Sequence, residues 1–184
     1  AKSLNVGRYE LAGCGDVNNA LSFGGPNGLY LKTTELWNGS NWTTTSSLNV
    51  GRSHLAGCGN INNALSFGGW IGSYLYLKTT ELWNGSNWTT TSSLNVARFE
   101  LAGCGNINNA LSFGGYNSDL YSYSYLKTTE LWNGSNWTTT SSLNVARCEL
   151  AGCGNINNAL SFGGWNGSDL NTTEIWNGSN WTTT

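Results

Sequence analysis

The 184-residue chain contains no Met, one Pro and one His, and only 10% of its residues are charged. Each scarcity excludes something. Acidic residues outnumber basic ones by ten to eight, so there is no cationic excess to neutralise a phosphate backbone, and nucleic acid is not an expected partner. No apolar run approaches the roughly 18 residues of a membrane-crossing helix, so no membrane insertion is expected. The opening Ala-Lys-Ser-Leu has no signal-peptide or transit-peptide pattern. The missing initiator Met predicts a processed chain or a piece of a longer one. A His cluster, a convergent acid pair and a cofactor motif are all lacking, so neither an enzyme nor a cofactor is expected. Thr, Ser, Asn and Gly stand where charges usually stand, in a chain far below the typical charged quarter. Such a surface is hydrated through hydroxyls and amides, which points to an extracellular or virion-surface protein.

What the chain has is a repeat. Leu-Asn-Val recurs at Leu4, Leu48, Leu94 and Leu143, spacings of 44, 46 and 49 residues. Ala-Gly-Cys-Gly, Ala-Leu-Ser-Phe-Gly-Gly and Trp-Asn-Gly-Ser-Asn-Trp recur in step with it. Periods of this length belong to propeller blades or to paired-helix solenoids. Gly, Thr, Ser and Asn weaken helix interiors, so strands are favoured. In the first copy they are expected at Tyr9 to Cys14, Ala20 to Phe23, Thr33 to Trp37 and Trp42 to Thr45. Asn38-Gly39 marks a hairpin between the last two, since both residues tolerate positive φ. The fold class is therefore all-β, a four-bladed β-propeller with four antiparallel strands per blade. The single domain spans 1–184, with repeats at about 4–47, 48–93, 94–142 and 143–184, the last closing onto 1–3. The terminal Trp181-Thr182-Thr183-Thr184 joined to Ala1-Lys2-Ser3-Leu4 would restore the repeat with one extra residue, which predicts a closed ring. The alternatives are a four-blade segment of a longer protein, or two chains combined in a larger ring.

Gly-Gly after an apolar strand, then Glu-Leu-Trp, then a second Trp after a short turn, resembles the kelch motif. The likeness covers the chain four times over. Trp37 and Trp42 stand closer together than kelch aromatics usually do. The tight Asn-Gly variant resembles kelch-like arrays of phage and bacterial surface or tail proteins, tail fibres among them. The resemblance implies binding and scaffolding rather than catalysis, with structural aromatics.

Eight of the ten tryptophans are locked to the repeat and are expected to pack between blades. Cys14, Cys58, Cys104 and Cys153 are expected to be reduced, buried and free of metal, because their spacing lacks the short pairs of zinc sites. Cys148 is a fifth, with no disulfide expected. Arg8, Arg52, Arg98 and Arg147 each precede Glu10, His54, Glu100 or Glu149 by two residues, which in a strand shares a face. A ring of mutually neutralising Arg and Glu partners is expected, within a blade or across to the next. His54 reads as drift from Glu. Asn38, Asn41 and their equivalents form glycosylation sequons that turn chemistry alone explains.

The copies differ in length in one place, the loop after Gly-Gly, which holds five, seven, ten and five residues. These B–C loops, between the second and third strands of each blade, should emerge on one face of the ring. They carry Tyr30, Trp70, Tyr74, Tyr76, Tyr116, Tyr121, Tyr123, Tyr125 and Trp165. Tyr and Trp offer contact area at little entropic cost, and loops on a rigid scaffold carry binding residues. The expected function is a non-enzymatic recognition or assembly module that binds a protein partner or itself through these loops. The alternative is a carbohydrate-binding lectin using the same rings to stack on glycans.

Overall fold

The computed structural model describes residues 2–119 and 122–184. All of its regular elements are strands. The first repeat gives β1 (Ala12–Gly15), β2 (Ala20–Phe23), β3 (Thr34–Trp37) and β4 (Trp42–Thr45). The second gives β5 (Ala56–Gly59), β6 (Ala64–Phe67), β7 (Thr80–Trp83) and β8 (Trp88–Thr91). The third gives β9 (Ala102–Gly105), β10 (Ala110–Phe113), β13 (Thr129–Trp132) and β14 (Trp137–Thr140), and holds between them β11 (Tyr116–Asp119) and β12 (Ser122–Tyr125). The fourth gives β15 (Ala151–Gly154), β16 (Ala159–Phe162), β17 (Thr173–Trp176) and β18 (Trp181–Thr183). Each repeat forms one antiparallel sheet with its four common strands in chain order, and β11–β12 is a fifth, two-stranded sheet. The ten-residue loop of the third repeat is thus largely a hairpin.

The first strand of each repeat starts later than its alternation predicts, at Ala12 rather than Tyr9. Glu10, His54, Glu100 and Glu149 have φ of 51°, 51°, 55° and 50°, left-handed backbone that interrupts an extended run. The expected neutralisation of each Arg by a Glu is met within its own repeat, but by a different Glu from the one two positions on. Each Arg turns inward to the Glu of Glu-Leu-Trp or Glu-Ile-Trp in its own sheet: Arg8–Glu35 at 2.7 Å, Arg52–Glu81 at 2.9 Å, Arg98–Glu130 at 2.8 Å and Arg147–Glu174 at 3.0 Å. The Glu81 carboxylate also accepts the backbone N–H groups of Asn49 and Val50, while Arg52 donates to the carbonyls of Gly68 and Thr79. The connector arriving from the previous sheet is thereby riveted onto β7. Burial lowers the Arg52 and Arg98 pKa values, and the facing carboxylates oppose that shift.

The sheets stack through three seams with the same contents. Phe23 lies on Trp88, Phe67 on Trp137 and Phe113 on Trp181, each with ring centroids 4.9 Å apart. The indole N–H of each of these tryptophans donates to a Thr of the preceding sheet, as Trp88 does to Thr34 at 2.9 Å. The Phe rings also cover Gly57, Gly103 and Gly152, where an added Cβ would fall 2.4–2.5 Å from the ring. Three hydrophobic clusters fill these seams.

A closed four-bladed ring requires a fourth such seam, between the fourth repeat and the first. Among the described residues it is not made. Phe162 is 40% exposed, where Phe23, Phe67 and Phe113 are fully buried. Trp37 and Trp42 are partly exposed, while the other six repeat-locked tryptophans are buried. The three made seams run from the inner strands, β1 against β5, out to the indole of β8 on the Thr of β3. The chain segments entering all four first strands still gather around one cleft, lined by Leu11, Leu55, Leu101 and Leu150, so the sheets fan about a shared line without the last packing on the first. The same open seam corrects the expectation for Cys153, which is exposed. Cys58 and Cys104 are buried and Cys14 half-buried, all four being free thiols.

Candidate functional site: the aromatic loop face

The loops after Gly-Gly meet the connectors that enter each first strand. Ser53 and Trp70 exchange backbone hydrogen bonds at 3.0 and 2.9 Å, as do Phe99 with Tyr116 and Cys148 with Trp165. The residue after each Arg is therefore pinned beside the first loop residue, and both present side chains on one face.

On that face the rings form a row that crosses all four repeats. Tyr30 meets Trp70 edge-on with centroids 5.5 Å apart. Trp70 lies 6.4 Å from Phe99, and Phe99 is stacked on Tyr76 at 4.7 Å. Phe99 then meets Tyr116 at 5.4 Å, and Tyr116 meets Tyr125 at 5.4 Å. The indole N–H of Trp165 donates to the Tyr125 hydroxyl at 3.2 Å. The Ser118 hydroxyl bonds the Tyr76 hydroxyl at 2.8 Å, tying the third repeat's hairpin to the second repeat's loop. Six of the nine residues singled out in the sequence, Tyr30, Trp70, Tyr76, Tyr116, Tyr125 and Trp165, belong to this row. Tyr74 does not: it is 67% exposed at a loop tip, with φ of 61°. Tyr121 and the side chain of Tyr123 lie outside the described part of the structure.

Sequence reasoning missed the centre of the row. Phe99 is not a loop residue, and it occupies the position of Tyr9, Ser53 and Cys148. That position is variable in an otherwise regular repeat, the same signal that exposed the loops.

Two clefts open beside the row at equivalent places. The first, of about 230 Å³, lies where repeats one and two meet and is lined by Tyr9, Glu10, Pro26, Tyr30, His54 and Trp70. The second, of about 270 Å³, lies where repeats three and four meet, lined by Phe99, Glu100, Tyr116, Tyr125, Glu149 and Trp165. Between them, at the middle seam, Phe99 stands among Trp70, Tyr76 and His54. The Trp70 indole nitrogen is buried and has no hydrogen-bond partner among the described residues. A buried donor left without a partner is unusual.

The floor carries charge. His54 Nδ1 is 3.0 Å from Glu10 and Nε2 is 3.7 Å from Glu100. His54 thus bridges two repeats when protonated, a placement that the reading of His54 as drift did not anticipate. Burial raises the Glu100 pKa, and the Glu149 and Glu10 carboxylates add to it, against the Cys148 thiol and His54. Burial and Glu100 push the Cys148 thiol up to about 12. Among the described residues no group of three or more His, Cys, Asp and Glu is placed to hold a metal ion. Aromatic walls over a carboxylate floor can stack on a ligand ring and accept its hydroxyl or amide protons. No protein-family profile matches the chain, and no curated protein matches it.

Proposed function

We propose that the chain is a non-catalytic recognition or assembly module, built from kelch-like β-propeller blades, that acts on an extracellular or virion surface. The working surface is the aromatic loop face and the partner is a protein. The observation that carries this reading is the ring row from Tyr30 to Trp165, which crosses every repeat on one face, outside the Phe–Trp seams. Trp165 is exposed and the other rings of the row are half-buried, and a contiguous aromatic surface reached by solvent supports an interaction site. The low charge of the chain supports the setting. The kelch-like reading is supported by the four-stranded sheets and by the Gly-Gly pairs, whose φ values are all positive.

A lectin is the second reading, favoured by the recurrence of one cleft type at two seams. Each pairs an aromatic wall with a carboxylate, the equipment for a sugar ring and its hydroxyls. The test is to compare the parent chain with Trp70→Ser/Trp165→Ser on a glycan array and on displayed surface proteins, with melting curves for both. Loss of protein binding at unchanged melting supports the leading reading, and glycan binding at two equivalent sites supports the second. Binding that survives the double substitution moves the function off this face.

A further inference from the structure

The two open end faces are the unfilled halves of the seam that the molecule makes three times. We infer that a second copy of this chain seats its first repeat on the fourth repeat of the first copy, head to tail. The inference does not depend on the loop face.

The match goes beyond shared apolarity. On the fourth repeat, Leu160, Phe162 and Ile175 are 36%, 40% and 40% exposed. On the first, Trp42 is partly exposed, and its indole N–H makes no hydrogen bond among the described residues, unlike those of Trp88, Trp137 and Trp181. Its counterpart would be Thr173, which stands where Thr34, Thr80 and Thr129 accept those bonds. Gly13 is the empty socket. A Cβ there would meet only the carbonyl of Leu21 at 3.0 Å, whereas Gly57, Gly103 and Gly152 are each covered by a Phe of the preceding sheet. Phe162 is the Phe without a socket.

The backbone repeats the pattern. At the made seams, Gly25, Gly69 and Gly115 donate to the carbonyls of Arg52, Arg98 and Arg147, each at 2.8 Å. Among the described residues Gly164 N–H has no such acceptor, and the Arg8 carbonyl no such donor. His54, Glu100 and Glu149 donate to the carbonyls of Glu10, His54 and Glu100, each at 2.9 Å. The series stops with the Glu149 carbonyl and the Glu10 N–H unused among the described residues. Donors and acceptors left on one end thus complement those left on the other. The contact is heterologous, since the two surfaces differ, and such contacts close into rings or grow into filaments according to the rotation between copies.

The experiment measures the mass of the 184-residue chain by light scattering and native mass spectrometry, for the parent, Phe162→Asp and Trp42→Asp. The parent should assemble, as a two-chain ring or a longer filament, either of which uses this seam. Each variant alone should be a monomer with an unchanged melting curve, its association weakened by about 30-fold or more, as for an interface hot spot. Mixed in equal amounts, the two variants should form a dimer of one copy of each, since each retains the half that the other has lost. A monomeric parent overturns the inference. So does assembly that survives either single substitution, or a mixture that stays monomeric.

Discussion

Phe113 and Phe162 follow the same Ala-Leu-Ser run in consecutive repeats, yet one is sealed under Trp181 and the other is 40% exposed. Leu111 and Leu160 differ in the same way, fully buried against 36% exposed. Residue identity does not separate them. What separates them is whether another sheet is stacked on that side. Cohesion in this molecule therefore has two sources: one inside each sheet, which every repeat has, and one between sheets, which the end repeats have on one side only. Stacked repeats are stable as a sum of these two kinds of term.

The largest effects should come from breaking a seam. Trp137→Ala removes an indole that is 4% exposed, packed on Phe67 and bonded to Thr80. It should cost about 3–5 kcal/mol in denaturant unfolding. Trp42→Ala, at the equivalent place on the open end, should cost well under half of that in the monomeric chain. Equal costs would mean that the end face is covered after all.

The sharper comparison separates the two sources. Glu35 lies in an end sheet and Glu81 in an inner one, yet both Arg–Glu pairs are buried and their side chains are no more than 1% exposed. Removing one partner leaves a buried guanidinium unpaired. Glu35→Gln and Glu81→Gln should therefore each cost about 3 kcal/mol, with little difference between them. A cost confined to Glu81 would show that the clamp draws its strength from the neighbouring sheets.

Much of this was legible in the sequence, and the failures have identifiable causes. β2 and β4 fall where alternation and Asn-Gly chemistry placed them, because both signals are local. The position of the aromatic loops was legible because identical copies make length differences stand out. The Arg partners were not, since the i, i+2 rule holds only in extended backbone and the left-handed residue follows the Arg by two. Ring closure was not legible either. It depends on the angle between sheets, which no residue pattern states, and matching ends suit a closed ring and an open array equally well.

Thiol labelling gives a smaller, kinetic contrast. Cys104 sits in a made seam, and burial pushes its thiol up to about 12. Burial raises Cys58 as well, with the neighbouring thiols adding to the shift. Cys153 faces the open side. Since the thiolate is the reactive form, an alkylating reagent at mildly alkaline pH should modify Cys153 at least about tenfold faster than Cys104, read by peptide mass spectrometry. If copies assemble head to tail, the Cys153 rate should fall with rising protein concentration while the Cys104 rate stays fixed.

The smallest expected effect concerns Glu100, where the Glu10, Glu100 and Glu149 carboxylates gather. Its pKa is raised by burial first, then by Glu149 and Glu10, against the Cys148 hydrogen bond and the His54 charge. A carboxyl whose folded pKa lies above its unfolded value holds its proton longer in the folded chain. Folding is then favoured at low pH by this group, and the advantage drains away as pH rises from the ordinary carboxylate range through the raised value. Glu100→Gln removes the titration and leaves a neutral side chain of nearly the same shape. The parent's melting temperature should fall slightly relative to the variant's across that window, and the two curves should run parallel above it. His54 opposes the shift, because its charge favours the ionised Glu100 that faces it at 3.7 Å. The comparison is therefore repeated with His54→Gln in both chains, where the fall should be larger and no longer offset. A parent that gains on the Glu100→Gln variant as pH rises would mean that the hydrogen bond from Cys148 outweighs burial at this carboxylate.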